Sequence, residues 1–164
     1  MQHYHRPRLA PVSPPELADA NHFLPQSRAP CALPRAKNLE SVRAFFERVL
    51  NAGDVASLES FSHRDVLVPQ SAPGIESYRR LLVEMRSTFA NPEYKVMDTV
   101  CEGEKVVVRF SAKATHAGRY MGLPASGRAL RLWGVMIFRF EAGAIAEFWS
   151  LVDSQAILKQ LREL

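Results

Sequence analysis

Two ionisable side chains, His116 and Asp153, stand out because each lies in a segment that is otherwise typical of an apolar strand. His116 lies in Ala114-Thr115-His116-Ala117-Gly118, and Asp153 ends Phe148-Trp149-Ser150-Leu151-Val152-Asp153. An ionisable group held against an apolar wall is costly unless it is paired, and its proton affinity changes. A carboxylate in that setting is a candidate general base at neutral pH. These residues therefore point first to proton-transfer chemistry.

Both residues also have an ordinary structural interpretation. Asp153 follows a predicted strand and precedes a predicted helix, where aspartate is a standard N-cap residue. If Ser154 took the cap instead, Asp153 would be free to face inward with Trp149. His116 is in phase with a row of apolar strand residues, where a histidine is usually part of the core and bonded to a backbone carbonyl. The sequence pattern leaves both alternatives open.

Three aromatic residues and one cation are candidates for binding a substrate. Trp149, Trp133 and Phe110 lie in predicted strands. Small-molecule pockets are lined mainly by apolar and aromatic groups, so these residues are typical both of a core and of a pocket wall. Arg139 is in phase with Trp133, and its long side chain could contact a substrate or reach solvent.

Other kinds of catalytic site are not indicated. Ser150 lacks the flanking glycines of a nucleophile elbow. The chain has no HExxH, phosphate-binding loop or GxGxxG motif. Cys31 and Cys101 lie 70 positions apart, and we expect both to be reduced and structural. Since no cluster of ligand residues is present, we expect neither a metal nor another cofactor.

Composition indicates a one-domain protein without a nucleic-acid or membrane partner. The 164 residues are 47% apolar and 23% charged, and no apolar run approaches the roughly 18 residues of a spanning helix. Met1 to Arg8 do not resemble a signal peptide, so we expect a cytoplasmic protein. The net charge is +4, but residues 38–164 hold 16 basic and 15 acidic side chains. A nucleic-acid-binding domain would show a basic stripe there.

The first 37 residues differ in composition from the rest of the chain. Residues 1–37 contain seven of the eleven prolines and no sustained periodicity. Proline is excluded from helix interiors and central strands, so we expect an extended or disordered N-terminal segment. Its histidines, His3, His5 and His22, fit no standard metal site and are expected to be solvated. The folded domain is predicted to span residues 38–164.

The periodicity of the folded part changes from helical to strand-like near Pro92. We predict a helix that Asn38 caps, a short helix that Asp54 caps, and a third helix from Pro73-Gly74 to about Thr88. Alternation from Tyr94 to Val100 then predicts a first strand, followed by a turn at Glu102-Gly103-Glu104. Further antiparallel strands are predicted near 105–116, 130–140 and 145–153, and a closing helix near 154–164. Helices followed by sequential antiparallel strands indicate an α+β fold whose sheet curves around the helices.

Three segments resemble the SnoaL-like polyketide cyclase, or ester cyclase, family of the nuclear-transport-factor-2-like (NTF2-like) superfamily. They are the segment 114–127, the strand Ile137-Phe138-Arg139-Phe140 and the ending Trp149-x-x-x-Asp153. The resemblance covers about residues 38–161 and implies a cone-shaped α+β barrel. It also implies that Asp153 is the acid/base and that His116 lies at the pocket mouth. In many members a histidine stands near the position that Val68 or Pro69 occupies in this chain.

The resemblance implies a cofactor-free enzyme that acts on a small hydrophobic, polyketide-like molecule. Asp153 would remove a proton from a carbon next to a carbonyl, and the enolate would close a ring by intramolecular aldol attack. The alternative is a non-catalytic module that binds or carries a small hydrophobic ligand. Members of the family commonly pair through the outer face of the sheet, so we expect a homodimer.

Overall fold

The structure, a computed structural model, describes residues 32–69 and 71–163. In that part of the chain, three α-helices and five strands follow one another. They are α1 (Ala32–Phe45), β1 (Ser62–Leu67), α2 (Ile75–Thr88), β2 (Phe89–Glu102), β3 (Lys105–His116), β4 (Ala129–Glu141), β5 (Ala144–Val152) and α3 (Ser154–Arg162).

The first helix begins earlier than the sequence pattern predicts. α1 already includes Ala32, so Asn38 lies inside the helix and is not its N-cap. Pro34 lies in the first turn, where a missing N–H is tolerated. The prediction of an extended segment was therefore wrong for residues 32–37, while residues 1–31 lie outside the described part. A truncation near Lys37 would remove the first turns of α1.

Two short helical segments, neither of them an α-helix, connect α1 to β1. The chain continues from α1 into a π-helical segment, Phe46–Asn51, and then into a 3₁₀ helix, Val55–Ser60. Asp54 caps the 3₁₀ helix, as predicted, by accepting a hydrogen bond from the Ser57 N–H at 3.1 Å. π-helical turns are rare and occur often at functional sites.

The five strands form one mixed, unclosed sheet in the order β1-β5-β4-β3-β2. β1 runs parallel to β5, and the other neighbouring pairs are antiparallel. β2 and β1 are therefore the two edges. The curved sheet with helices on one face confirms the predicted α+β, NTF2-like architecture.

The core fills the space between the helices and the inner face of the sheet. β3 sorts its side chains as predicted, because Val106, Val108, Phe110, Ala112, Ala114 and His116 are all buried. On the helical side, the rings of Phe45 and Phe46 lie 5.6 and 6.4 Å from that of Phe138. This aromatic layer fixes the helices against the sheet and leaves space near the second half of β5.

Candidate active site

A cavity of about 530 Å³ lies between the inner face of the sheet and α2. Leu81 and Met85 of α2 face Phe110, Leu132 and Phe148 of the sheet across it. Among the described residues that line it there is no Asp, Glu, His, Lys or Arg. The side-chain hydroxyls of the lining come from Tyr94, Tyr120 and Ser150. A space of this size and character suits a small hydrophobic molecule.

The cavity reaches the surface beside the second half of β5. β1 pairs with β5 only as far as Leu67↔Glu147, so Trp149 and Leu151 lie beyond that pairing. Both residues line the cavity, yet their side chains are 50% and 73% exposed. They therefore form the rim of its mouth.

Asp153 is placed differently from the expected arrangement. It is the N-cap of α3, where its Oδ1 accepts a hydrogen bond from the Ala156 N–H at 2.9 Å. Its side chain is exposed and does not line the cavity. The expectation that Asp153 points into the cavity was wrong, because Asp153 continues the outward-facing row of Trp149 and Leu151 on β5. A catalytic role for its carboxylate stays a prediction.

His116 is fully buried at the end of β3 and is not part of the cavity lining. Its Nδ1 lies 2.9 Å from Ser126 Oγ, so its partner is a hydroxyl and not the expected carbonyl. Its Nε2 is enclosed and has no hydrogen-bond partner in the described part of the chain. The ring lies 6.4 Å from that of Phe89, which does line the cavity. His116 therefore lies behind the cavity wall and not at its mouth.

The four candidate binding residues lie on both faces of the sheet. Phe110 is buried on the inner face and lines the cavity, while Trp149 belongs to the outer row of β5 and lies at the rim of the cavity mouth. Trp133 lies on the outer face, 45% exposed, and does not line the cavity. Arg139 is also on the outer face, where its Nε donates to Glu147 Oε1 at 2.8 Å. The structure thus brings Phe110 and Trp149 to the cavity and keeps Trp133 and Arg139 away from it.

Residues 40–161 match the SnoaL-like polyketide cyclase family. The chain belongs to that family. No curated protein matches the chain. Family membership supports a cyclase- or isomerase-type role for a protein with this cavity.

Three solved structures illustrate the likeness of this SnoaL-like domain to known folds. TsrD from Streptomyces laurentii is 28% identical with a TM-score of 0.67, over 84% of this chain and 100% of TsrD. A SnoaL-like polyketide cyclase from Agrobacterium tumefaciens is 23% identical with a TM-score of 0.69, over 76% of this chain and 97% of its own. IdmH from Streptomyces antibioticus is 24% identical with a TM-score of 0.66, over 76% and 97% of the respective chains.

Tyr94 is a cavity residue of this SnoaL-like domain that the sequence analysis did not single out. Its ring packs between those of Phe46 and Phe110, at 6.1 and 5.4 Å. Burial raises the pKa of its phenol, and the Arg86 cation partly opposes that rise. Tyr94 therefore stays a neutral phenol at physiological pH. The available signal was its alternation with Val96, which places both on the inner face.

The Arg86 side chain lies close to Tyr94 and is held by the end of the π-helical segment. Its Nη1 donates to the Leu50 carbonyl at 2.7 Å. Gly53 has φ of +74°, and a Cβ there would lie 2.8 Å from Arg86 Cζ. The positive φ therefore favours glycine at this position, and the absence of a side chain there leaves room for the guanidinium.

Tyr120 brings the loop between β3 and β4 into the cavity wall. Its ring packs against Phe89 at 5.0 Å. The Ala117 and Gly118 N–H groups donate to the Thr88 carbonyl at 2.9 and 3.1 Å, which fixes the loop to the end of α2. Tyr120 thus closes one side of the cavity from a loop with a defined anchor.

Among the described residues, no group of three His, Cys, Asp or Glu side chains is arranged to hold a metal ion. In the same part of the chain, no helix is long and apolar enough to cross a membrane.

Proposed function

We propose that this chain is a cofactor-free cyclase or isomerase that acts on a hydrophobic, polyketide-like molecule. Its reaction would be intramolecular aldol ring closure or proton transfer next to a carbonyl. The observation that supports this most is the apolar cavity of about 530 Å³ in a member of the SnoaL-like polyketide cyclase family.

The cavity would act mainly by holding a flexible chain in a folded form. Bringing two carbons of one molecule to reacting distance removes much of the entropic cost of ring closure, which is worth up to several kcal/mol. The wall of Leu132, Met136 and Phe148 also excludes water. Hydrogen bonds to a substrate oxygen are stronger in such a setting than in water.

Ring closure needs a proton acceptor, since the base takes a C–H proton, the enolate attacks a carbonyl, and the new alkoxide regains a proton. Asp153 has this role in the interpretation that the family resemblance implies. To reach the cavity, its carboxylate would have to break the hydrogen bond that it accepts from the Ala156 N–H at 2.9 Å. We therefore propose Asp153 as the acid/base only together with that rearrangement.

A binding or carrier module is the second candidate. It is favoured by the cavity lining, in which the described residues include no carboxylate or imidazole. A carrier needs only the apolar wall and a few hydrogen-bonding hydroxyls. It would bind a ligand without changing the rate of any reaction.

Aldol ring closure of a phenyl-substituted 1,5-diketone, followed by loss of water to give the cyclohexenone, distinguishes the enzyme from the carrier. The absorbance of the enone measures the rate. An enzyme should accelerate the reaction with saturation kinetics, whereas a carrier should bind the diketone and leave the rate at background. Leu81→Trp should block the cavity and reduce both rate and binding. Val83→Trp, on the exposed face of the same helix, should change neither. Absence of binding by the unmodified protein would contradict both functions.

We also propose that two copies pair through the outer face of the sheet. A row of apolar residues crosses four strands there through the pairs Val100↔Val107, Val107↔Ile137 and Ile137↔Trp149. The neighbouring cation Arg109 is held by Asp98, to which its Nε donates at 2.9 Å. Asp98 thus offsets the charge of Arg109 within each copy. This reduces the repulsion between arginines that face each other across the interface of two copies.

A further inference from the structure

We propose that Tyr94 is a substrate-contacting residue that donates a hydrogen bond to a carbonyl or enolate oxygen of the molecule in the cavity. The inference rests on the proposed function, because it assumes that the cavity holds a small molecule with a carbonyl group. It adds to that function a specific donor and the chemical group that the donor recognises.

The first support is the fixed position of Tyr94. Its N–H donates to Asn51 Oδ1 at 2.6 Å, and Asn51 Nδ2 donates to its carbonyl at 3.1 Å. Phe46 and Phe110 pack against its ring. A donor whose backbone and ring are both held needs little reordering when a ligand binds.

The second support is a hydroxyl that has no partner among the described residues. Three side-chain polar atoms of the described residues are fully enclosed and unpartnered, and they belong to Ser62, Tyr78 and His116. The Tyr94 hydroxyl is not one of them, and no described side chain or backbone group bonds to it. Tyr94 lines the cavity, so we take this hydroxyl as the group that it offers to a ligand there.

The third support is the charge around the phenol. Burial keeps Tyr94 protonated, so it can donate. Arg86 acts on the same phenol in the opposite sense, because its cation favours negative charge nearby. An oxygen that becomes an enolate while bonded to Tyr94 would gain from both groups. Such a bond strengthens as charge develops, which is the property that lowers a reaction barrier.

Other hydroxyls of the lining are less suited to this role. Tyr120 belongs to a loop, and Ser150 is exposed on β5 near the mouth. Tyr78 is fully buried and does not line the cavity. Tyr94 alone among these four is a cavity residue held by a side-chain clamp on its backbone.

Two probes of nearly equal shape test the inference. 1-Tetralone carries a carbonyl, and tetralin has the same carbon skeleton without it. Titration calorimetry with the full chain gives the ratio of the two dissociation constants. We expect the wild type to favour 1-tetralone, and Tyr94→Phe to lose about 2- to 10-fold of that preference while it binds tetralin unchanged. In the wild type, the infrared carbonyl band of bound 1-tetralone should lie at lower frequency than in Tyr94→Phe, because the carbonyl accepts a hydrogen bond from Tyr94.

One variant with the same chemical change serves as the control. Tyr78→Phe removes a hydroxyl outside the lining. It should keep the preference for 1-tetralone. If Tyr94→Phe also keeps it, or if the carbonyl band is unshifted in the wild type, the assignment of Tyr94 is wrong and the cavity still binds. If neither probe binds the wild type, the proposed function fails and this inference fails with it.

Discussion

Asn51 and Tyr94 are 43 positions apart in sequence, and two hydrogen bonds in opposite directions join the Asn51 side chain to the Tyr94 backbone. Asn51 ends the π-helical segment, and Tyr94 belongs to the edge strand β2. The amide satisfies both the N–H and the carbonyl of Tyr94. One side chain therefore links the helical layer to the strand that presents the cavity phenol.

Asn51→Ala should remove both bonds and lower the free energy of unfolding by about 1–3 kcal/mol, because two backbone groups lose their partners. Urea denaturation measures this change. Glu47→Ala, an exposed change in the same segment, should stay within about 0.5 kcal/mol of the wild type. Equal effects of the two substitutions would show that the clamp contributes nothing.

Two substitutions of Asp153 distinguish a helix-capping role from a catalytic role. Asparagine caps helices about as well as aspartate, so Asp153→Asn should keep the stability of the wild type, whereas Asp153→Ala should lose about 1 kcal/mol. If the carboxylate is the acid/base, Asp153→Asn should lose ring-closing activity at unchanged stability. Thermal unfolding and the diketone assay on both variants decide between the roles. Full activity of Asp153→Asn would end the proposal that this carboxylate transfers the proton.

Tyr78→Phe should stabilise the protein at neutral pH by about 1 kcal/mol, because the Tyr78 hydroxyl is enclosed without a partner in the described part of the chain. Its ring packing against Phe148, at 4.9 Å, would remain. Chemical denaturation at pH 7 gives the difference. A loss of stability would indicate that the hydroxyl is hydrogen-bonded in solution.

The same residue makes the protein sensitive to alkali. Burial, with a further contribution from Tyr94, raises the pKa of Tyr78 well above its ordinary value of 10.0. The folded state then binds more protons than the unfolded state above about pH 10, so the free energy of unfolding falls as the pH rises beyond that value. Below pH 10 this contribution does not change. Unfolding measured from pH 8 to 11 should show a shallower decline in Tyr78→Phe than in the wild type.

Pairing through the outer face of the sheet predicts a dimer of the 18.4 kDa chain at micromolar concentration. Val107→Glu places a charge in the middle of the apolar row and should give monomers. Val83→Glu, at an exposed apolar position on α2, should leave the dimer intact. Sedimentation velocity distinguishes these outcomes, and a monomeric wild type would contradict the proposed pairing.

The strands show how far local patterns reach. The bounds of β3 agree with the predicted strand at both ends, and every second residue is buried as expected. Alternation is a local property of the chain, because successive side chains of a strand point to opposite faces. The same reasoning predicted the Asp54 cap and the range of α2.

β5 shows that a local pattern does not determine which face of a strand points toward the helices. Its two rows, Phe148-Ser150-Val152 and Trp149-Leu151-Asp153, both begin with an aromatic residue. Which row faces the helices depends on the register with β4, in which Phe138 pairs with Phe148. That register turns Trp149 and Asp153 to the outer side. The expected position of Asp153 failed on this choice, which no local pattern determines.

By itself, the sequence determined the type of each main element, the α+β class and the resemblance to the SnoaL-like family, since these follow from spacing between near neighbours. Only the tertiary structure decided which residues line the cavity. Asn51 meets Tyr94, and Gly53 makes room for Arg86, across 43 and 33 positions of chain. Contacts at that separation arise from the packing of the π-helical segment against β2 and α2, so periodicity leaves no trace of them.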